Sequence, residues 1–334
     1  MPREVLARGL IFSLRHAPCA HICRYCLVSE TRKGSKLSFA RFEQLVHRFY
    51  DWKAAGETDI DIRTFVGPSF DYDLDVIGGL RRLRARRGRS FDIVNLGGLR
   101  LRDAGQLESW MDERQAAGIV GFHTSLAGCD QIHDRWNGRR GDFDYQIAIL
   151  RMAGARGIVR QERLFIARNT LPMFDRLLDV MEGLPGELQS RTVTPFFYAG
   201  LARRYEDERI TEDIRDALPG RILSLRRGRF QEWRSEREWI PLLMETADKP
   251  RKLAMKLDVH DGNIEWLESA SCEEIFATQE GVYREGYRRM PSFEELCARY
   301  GDPEGRRVYM LPRDLEQKWM DMHERATGVT IPPD

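Results

Sequence analysis

From residue 9 to about residue 200 the chain alternates short apolar runs with longer amphipathic stretches, and this alternation constrains the fold more than any other feature. The apolar runs fall at residues 9–14, 60–66, 91–96, 119–126, 158–166 and 192–197, each of strand length. The stretches between them, at 38–53, 74–87, 102–117, 143–155 and 171–182, repeat apolar residues at three- and four-residue spacing, as one buried helix face requires. Ser38 and Asp103 precede two of these stretches as N-cap candidates, each with a side-chain oxygen suited to an orphan N–H. Strands joined by helix-length crossovers must be parallel, because tight turns join only antiparallel partners. The expected class is α/β: a partial (β/α)6 parallel barrel over residues 1–220, with ligands at the C-terminal ends of its strands.

Beyond about residue 220 the pattern changes. Residues 253–259, the turn-like His260-Asp261-Gly262-Asn263 and residues 264–267 read as a hairpin. Pro291 and Ser292 open an amphipathic helix, residues 308–311 suit a strand, and 312–327 suit a last helix. Residues 221–334 are thus expected to form a small α+β appendage. Lys+Arg 53 against Asp+Glu 52 leaves a charge of +1, which argues against nucleic acid as partner, since phosphate binding needs a clear cationic excess. The basic runs at 81–89 and 221–234 are read as solvated helix faces. No apolar run is long enough to span a bilayer. The first residues hold only a short apolar patch broken by Arg15 and His16, so no signal peptide and a cytoplasmic location are expected.

The six cysteines need a chemical explanation. Cys19, Cys23 and Cys26 crowd into eight residues just after the first expected strand, while Cys129, Cys272 and Cys297 are scattered. That is not the layout of a disulfide framework. Structural zinc takes four closed ligands, as a rule from two separated pairs, and His21 completes such a set only awkwardly within one tight loop. A [4Fe–4S] cluster takes four thiolates; three leave one iron open to a substrate or cofactor. A non-enzymatic iron–sulfur or zinc module that docks a partner is the rival reading.

The C-x3-C-x2-C spacing with Tyr25 before its last cysteine resembles the radical S-adenosylmethionine (radical SAM) superfamily. Thr124-Ser125-Leu126-Ala127-Gly128, then Ile132-His133-Asp134 and Gly141-Asp142-Phe143, are similar to that family's Ser-Leu-Asp-Gly, His-Asp and Gly-x-Phe stretch, in the form typical of the sulfatase-maturing and SPASM/twitch branch. Residues 91–99 stand where the family has Thr-Asn-Gly-x-Leu. The resemblance spans about residues 9–200. It implies a [4Fe–4S] cluster on Cys19, Cys23 and Cys26, SAM on the open iron, and a flavodoxin- or ferredoxin-type electron donor. It further implies reductive cleavage of SAM to a 5′-deoxyadenosyl radical that takes hydrogen from substrate.

The same resemblance suggests cofactor contacts. Tyr25 is expected beside the adenine, Asn95 near the ribose, Ser125 near the carboxylate or ribose, and Asn137 where relatives often carry Arg. Arg163 is a candidate to point inward on the fifth strand together with Gln161, but which of Gln161, Glu162 and Arg163 faces inward depends on a register that the sequence does not fix. The family's Gly-Gly-Glu-Pro is replaced by Gly67-Pro68-Ser69, so Gly67, Pro68 and Ser69 are candidates for the SAM ammonium without the usual carboxylate. Asp71 and Asp73 read first as turn and cap residues. Cys129, following the fourth strand, is a candidate hydrogen donor to a substrate radical, against a plain reading as a packed thiol. With only Cys272 and Cys297 beyond residue 220, the appendage resembles a twitch module without its auxiliary cluster, left to close the barrel. The motif begins at residue 19, which tilts the expected substrate towards a small polar natural-product intermediate (sugar, nucleoside or aminoglycoside) over a peptide.

Overall fold

The computed structural model describes residues 5–28, 34–56, 59–226, 232–247 and 251–329. Of the second basic stretch, residues 227–231 lie outside the described residues. The strands are β1 (Val5–Ala17), β2 (Asp61–Pro68), β3 (Ile93–Asn95), β4 (Gly121–Leu126), β5 (Val159–Ile166), β6 (Leu188–Pro195), β7 (Arg234–Ser235), β8 (Arg251–Val259) and β9 (Val308–Tyr309). They form a three-stranded sheet β2-β1-β8, a four-stranded sheet β3-β4-β5-β6 and a short antiparallel pair β7-β9. Every pairing within the two larger sheets is parallel. The wall is therefore mixed α/β with two parallel sheets, not closed, and β2 and β3 share no ladder.

Helices α1 (Phe39–Ala55), α2 (Leu74–Ala85), α3 (Ala104–Ala116), α4 (Asp130–Asn137), α5 (Asp142–Ala155) and α6 (Phe174–Glu182) cover the outer face. Period-2 alternation sorts each strand. On β4, Phe122 meets Trp110 of α3 at 5.4 Å and Thr124 Oγ1 lies 3.2 Å from Gln146 Oε1 of α5, while His123 and Ser125 stand half-buried on the inner face. Helix starts follow ordinary capping chemistry. Asp103 and Gln106 form a reciprocal capping box, and Asp73 accepts from Val76 N at 2.8 Å. Ser38 occupies the N-cap position of α1, but its hydroxyl makes no capping bond. On α2, Leu83 is buried while Arg82 pairs with Glu43 and Arg87 with Asp61, so the basic run 81–89 is an ion-paired outer face. Among the described residues no helix is long and apolar enough to cross a membrane.

The expected hairpin after residue 250 is not there. Residues 251–259 are β8, in register beside β1 from Val5↔Arg251 to Leu14↔Val259, and residues 264–269 are helical. Met255, Leu257 and Val259 bury one face, as do Leu10, Phe12 and Leu14 of β1. The pairing is won by joining those two apolar faces into one layer, which a local hairpin could not do. The C-terminal helix Pro312–Thr327 meets the other end of the wall, where Asp321 accepts from Tyr198 Oη (2.9 Å) and Arg203 Nη1 (2.8 Å), just past β6.

Candidate radical SAM site

Cys19, Cys23 and Cys26 lie in the loop that leaves the C-terminal end of β1. Backbone bonds fix that loop on three sides. Ile22 N and Arg24 N donate to Asn137 O (2.9 Å) and Trp136 O (2.7 Å) at the end of α4, Ala20 N donates to Gly98 O (3.5 Å), and Leu201 N donates to Cys26 O (3.0 Å). Gly98 sits at φ +78°, and a Cβ there would stand 2.8 Å from Cys19 Sγ, so only glycine leaves room for that thiol. Burial and the neighbouring thiols of Cys19 and Cys26 push the Cys23 thiol well up.

His21 is engaged elsewhere than at the thiols. Its ring is buried and turned away from the thiols: Nδ1 accepts from Gly98 N at 3.1 Å, and Nε2 faces Asp142 Oδ1 from 3.3 Å. Among the described residues no group of three or more His, Cys, Asp or Glu stands together as the ligands of one ion.

Asp142, the middle residue of Gly141-Asp142-Phe143, is the hub beneath the loop. Its carboxylate is wholly buried and receives Arg139, Asn137 Nδ2 and His133 Nε2 (3.1 Å) in addition to facing His21. Burial opposes its charge, but the contacts from His133 and His21 hold the carboxyl far below the ordinary aspartate range. His133 Nδ1 in turn accepts from Ala127 N at 3.2 Å, and Asp134 accepts from Gly141 N (2.6 Å) and Phe143 N (3.0 Å) to start α5. The His-Asp and Gly-x-Phe elements thus tie the exit of β4 to the cysteine loop.

Tyr25 and Asn137 belong to the same network. Tyr25 Oη donates to Asn137 Oδ1 and lies 3.4 Å from Ser125 O, and its ring stacks on Phe165 at 4.4 Å. Asn137, 1% exposed, has its amide engaged with Tyr25, Asp142 and His133. These bonds hold Asn137 to the cysteine loop. Ser69 is likewise buried, donating to Gly98 O (2.9 Å) and accepting from Asp71 N (3.1 Å). The space a side chain would take at Gly67 is filled by the Phe65 ring, 2.8 Å from the Cβ position, and Pro68 beside it is buried. These three residues therefore build the end of β2, and an ammonium contact from them would use backbone. Asp71 receives Arg102 (2.8 Å) and Trp110 Nε1 (3.1 Å), as a structural turn residue.

The second group shares the inner face. In register, Asn95 stands beside His123, His123 beside Gln161, and Ser125 beside Arg163. Arg163 and Gln161 therefore face inward with Ser125. Glu162 faces outward, buried with Arg160 (2.9 Å) and Arg191 (2.6 Å). Asn95 Nδ2 lies 3.1 Å from His123 Nδ1, and its Oδ1 accepts from Gly97 N at 2.7 Å. Burial, with Arg163 nearby, pushes His123 down to about 4, so its imidazole is neutral at pH 7. His123 was not among the sequence candidates, although its spacing of two before Ser125 on an alternating strand is the signal that finds it. From the other sheet β8 brings Lys256 and Asp258, 2.9 Å apart, with Arg15 of β1 3.9 Å from Asp258.

Cys129 is elsewhere. Its thiol, at the N-cap of α4, is 1% exposed and directed at Met173 O (3.8 Å), and burial pushes it up to about 11. In this structure the thiol is packed as a small buried side chain. A cavity of about 750 Å³ lies beside the ends of β1 and β2 and is lined by His16, Asp71, Asp73, Arg102 and Trp110, with none of the thiols.

The sequence profile of the radical SAM superfamily matches residues 17–172. The chain carries a radical SAM domain. That family implies a [4Fe–4S] cluster and SAM, and the loop and hub just described lie within the matched span. No curated protein matches the chain in sequence. Among solved structures it is similar to Streptococcus suis SuiB bound to precursor peptide SuiA, at 11% identity and TM-score 0.37, over 58% of this chain and 40% of that one. SuiB bound to S-adenosylmethionine gives 9%, 0.37, 76% and 51% in the same terms, and SuiB alone 10%, 0.37, 77% and 50%. The chain thus spans about half or less of the length of these structures.

Proposed function

We propose that the protein is a radical SAM enzyme acting on a small polar natural-product intermediate of sugar, nucleoside or aminoglycoside type. Cys19, Cys23 and Cys26 would hold one [4Fe–4S] cluster, with Cys272 and Cys297 as ordinary thiols on separate C-terminal helices. A cluster there supplies the electron that cleaves SAM to the 5′-deoxyadenosyl radical, which takes a hydrogen atom from substrate. The observation that carries the substrate class is the inner face itself. Asn95, His123, Ser125, Gln161 and Arg163 line one sheet, and Arg15, Lys256 and Asp258 the other. A wall with donors, acceptors and both charge signs fits a ligand rich in hydroxyl, amine or acid groups, and wastes its polar groups on an apolar one.

Arg163 and Ser125 are placed to receive a carboxylate, and neutral His123 beside Asn95 to accept or donate to a hydroxyl. Tyr25 and Phe165 supply a dry aromatic side to the loop. We take residues 1–220 as the radical SAM unit and 221–334 as the region that closes it, because β8 extends the β1 edge while the last helix meets the exit of β6. Anaerobic reconstitution tests the centre. Wild type should bind about four irons per chain and Cys19/Cys23/Cys26→Ala almost none; eight irons in wild type, or four in the variant, defeats the assignment. Incubating the reduced protein with SAM and candidate metabolites tests the rest: absence of 5′-deoxyadenosine throughout would end the radical reading.

A further inference from the structure

Arg15, Asp258 and Lys256 form a charged cluster near the C-terminal ends of β1 and β8, the end from which the cysteine loop leaves. Leu10, Phe12 and Leu14 are buried, so alternation turns Ile11, Ser13 and Arg15 of β1 to the interior. Met255, Leu257 and Val259 are buried in the same way, and Lys256 and Asp258 stand in register beside Ile11 and Ser13. One carboxylate serves two cations here. Lys256 Nζ lies 2.9 Å from Asp258 Oδ1, and Arg15 Nη2 lies 3.9 Å from Asp258 Oδ2. Among the described residues neither cation is paired with a second acid, so one positive charge is left over. The acids of β2 and of the turn after β8 are committed elsewhere: Asp61 to Arg63 (2.5 Å) and Arg87 (2.8 Å), and Asp261 to Ser35 Oγ (2.9 Å) and Lys36 N (3.0 Å). The three side chains are 39% (Arg15), 38% (Asp258) and 25% (Lys256) exposed, so their pairing adds little stability and stays open to a ligand. The strand beneath them is nonetheless pinned. Lys256 N donates to Tyr283 Oη (2.9 Å) and Lys256 O accepts from Gln279 Nε2 (2.6 Å), both on the helix Cys272–Arg288. Asn263 Nδ2 donates to Asp258 O at 2.8 Å. Because β8 is an edge strand, these bonds occupy backbone groups that β1 does not, and they fix where the inward side chains stand.

We propose that Arg15 and Lys256 grip an anionic group of the substrate, a carboxylate or a phosphate, with Asp258 spacing the two cations. That the bound molecule is the substrate rests on the radical SAM reading above, in which the reaction takes place at this end of the strands. A guanidinium offers two parallel donors and an ammonium a compact charge, and both suit the oxygens of either anion. Hydrogen bonds between charged groups are stronger than neutral ones, so such a clamp separates an acidic sugar or nucleotide from its uncharged parent. A polycationic ligand would meet two cations and one acid, so within the class proposed above the cluster selects against aminoglycosides.

The test measures Kd on the cluster-loaded full chain with SAM present. Glucuronate and glucose 6-phosphate serve as anionic probes, glucose as the neutral one and glucosamine as the cationic one. Wild type should bind at least one anion about tenfold or more tighter than glucose, and the tighter of the two tells carboxylate from phosphate. Lys256→Met should remove about tenfold of that preference. Asp258→Asn should increase it, because the acid no longer draws on both cations. A pair that only supported the fold would give losses of the same sign in both variants. No preference for either anion, weaker anion binding in Asp258→Asn, or glucosamine binding tighter than glucose overturns the clamp. A loss of SAM affinity in Lys256→Met as large as its loss of probe affinity would place the cations on SAM's own carboxylate and overturn the substrate assignment. Dithionite-driven 5′-deoxyadenosine formation by wild type is read separately: its absence ends the radical reading, while the affinities still decide the anion site.

Discussion

Asp142 and Glu162 are both buried carboxylates paired with arginine, yet the regions around them serve different ends. Asp142 lies under the cysteine loop, and two of its partners, His21 and Asn137, are bonded directly to that loop's backbone or are part of it. Glu162 lies on the helix side of β5, clasped by Arg160 and Arg191, and Arg160 also caps the end of α6 through Met181 O and Leu184 O (3.2 Å each). The electrostatic outcome is opposite. Burial pushes Glu162 up despite its two arginines, whereas the partners of Asp142 outweigh its burial and hold it down. A carboxylate with surplus partners positions a loop; one with barely enough fastens a helix to a sheet.

The largest expected effect separates the two. Asp142→Asn and Glu162→Gln each leave buried cationic or donor groups uncompensated, and each should cost about 3–5 kcal/mol of stability. Only Asp142→Asn should also lose iron per folded molecule, because only that network holds the cysteine loop. Urea denaturation with iron analysis of the folded fraction checks this. Equal iron retention in both variants would show the loop to be fixed by its backbone bonds alone.

A smaller difference should appear against pH. Asp142 is depressed when folded, so its contribution is present above the unfolded aspartate range near 4 and is lost as pH falls below it. Glu162 is raised, so its stability is greatest at low pH and declines as pH rises from the unfolded glutamate range through its folded value. His123, down at about 4 when folded, adds a loss as pH falls from about 6.5 to 4. Chemical denaturation between pH 3 and 7 should show the acid-side slope shallower in Asp142→Asn and steeper in Glu162→Gln. Parallel slopes in the two variants would erase the contrast.

The same two regions show what was legible in sequence. Strands β4 and β5 alternate cleanly and α5 follows its motif, so their ends beside the cysteine loop were legible in the sequence. The hub was quoted inside Gly141-Asp142-Phe143, but nothing local says that its carboxylate receives His21 from 121 positions earlier in the chain. The eight-residue α4 was missed because its apolar positions are few and its role lies in its last carbonyls. The register question at Gln161, Glu162 and Arg163 needed the neighbours of β5. Residues 253–259 are the expected strand but with another partner, for a related reason: His260-Asp261-Gly262-Asn263 has turn chemistry, yet the partner of Met255 and Leu257 lies some 245 residues away at β1. Long-range pairing is decided by which apolar faces complete one layer, and that is not written in a local window.

The smallest expected effect concerns Cys129, which belongs to neither network. Its place after β4 suggested a thiol on the radical's face, and its chemistry, a weak S–H, suited a hydrogen donor. The structure closes it under the loop against Met173. Cys129→Ala therefore removes only a small buried side chain and should cost about 1 kcal/mol, less than loss of a large apolar residue because the cavity is small. Product yield and 5′-deoxyadenosine formation should match wild type. A variant that still makes 5′-deoxyadenosine but loses or diverts the final product, while wild-type product gains one solvent deuterium at carbon in heavy water, would mean that the loop opens during turnover and that the thiol reaches the interior.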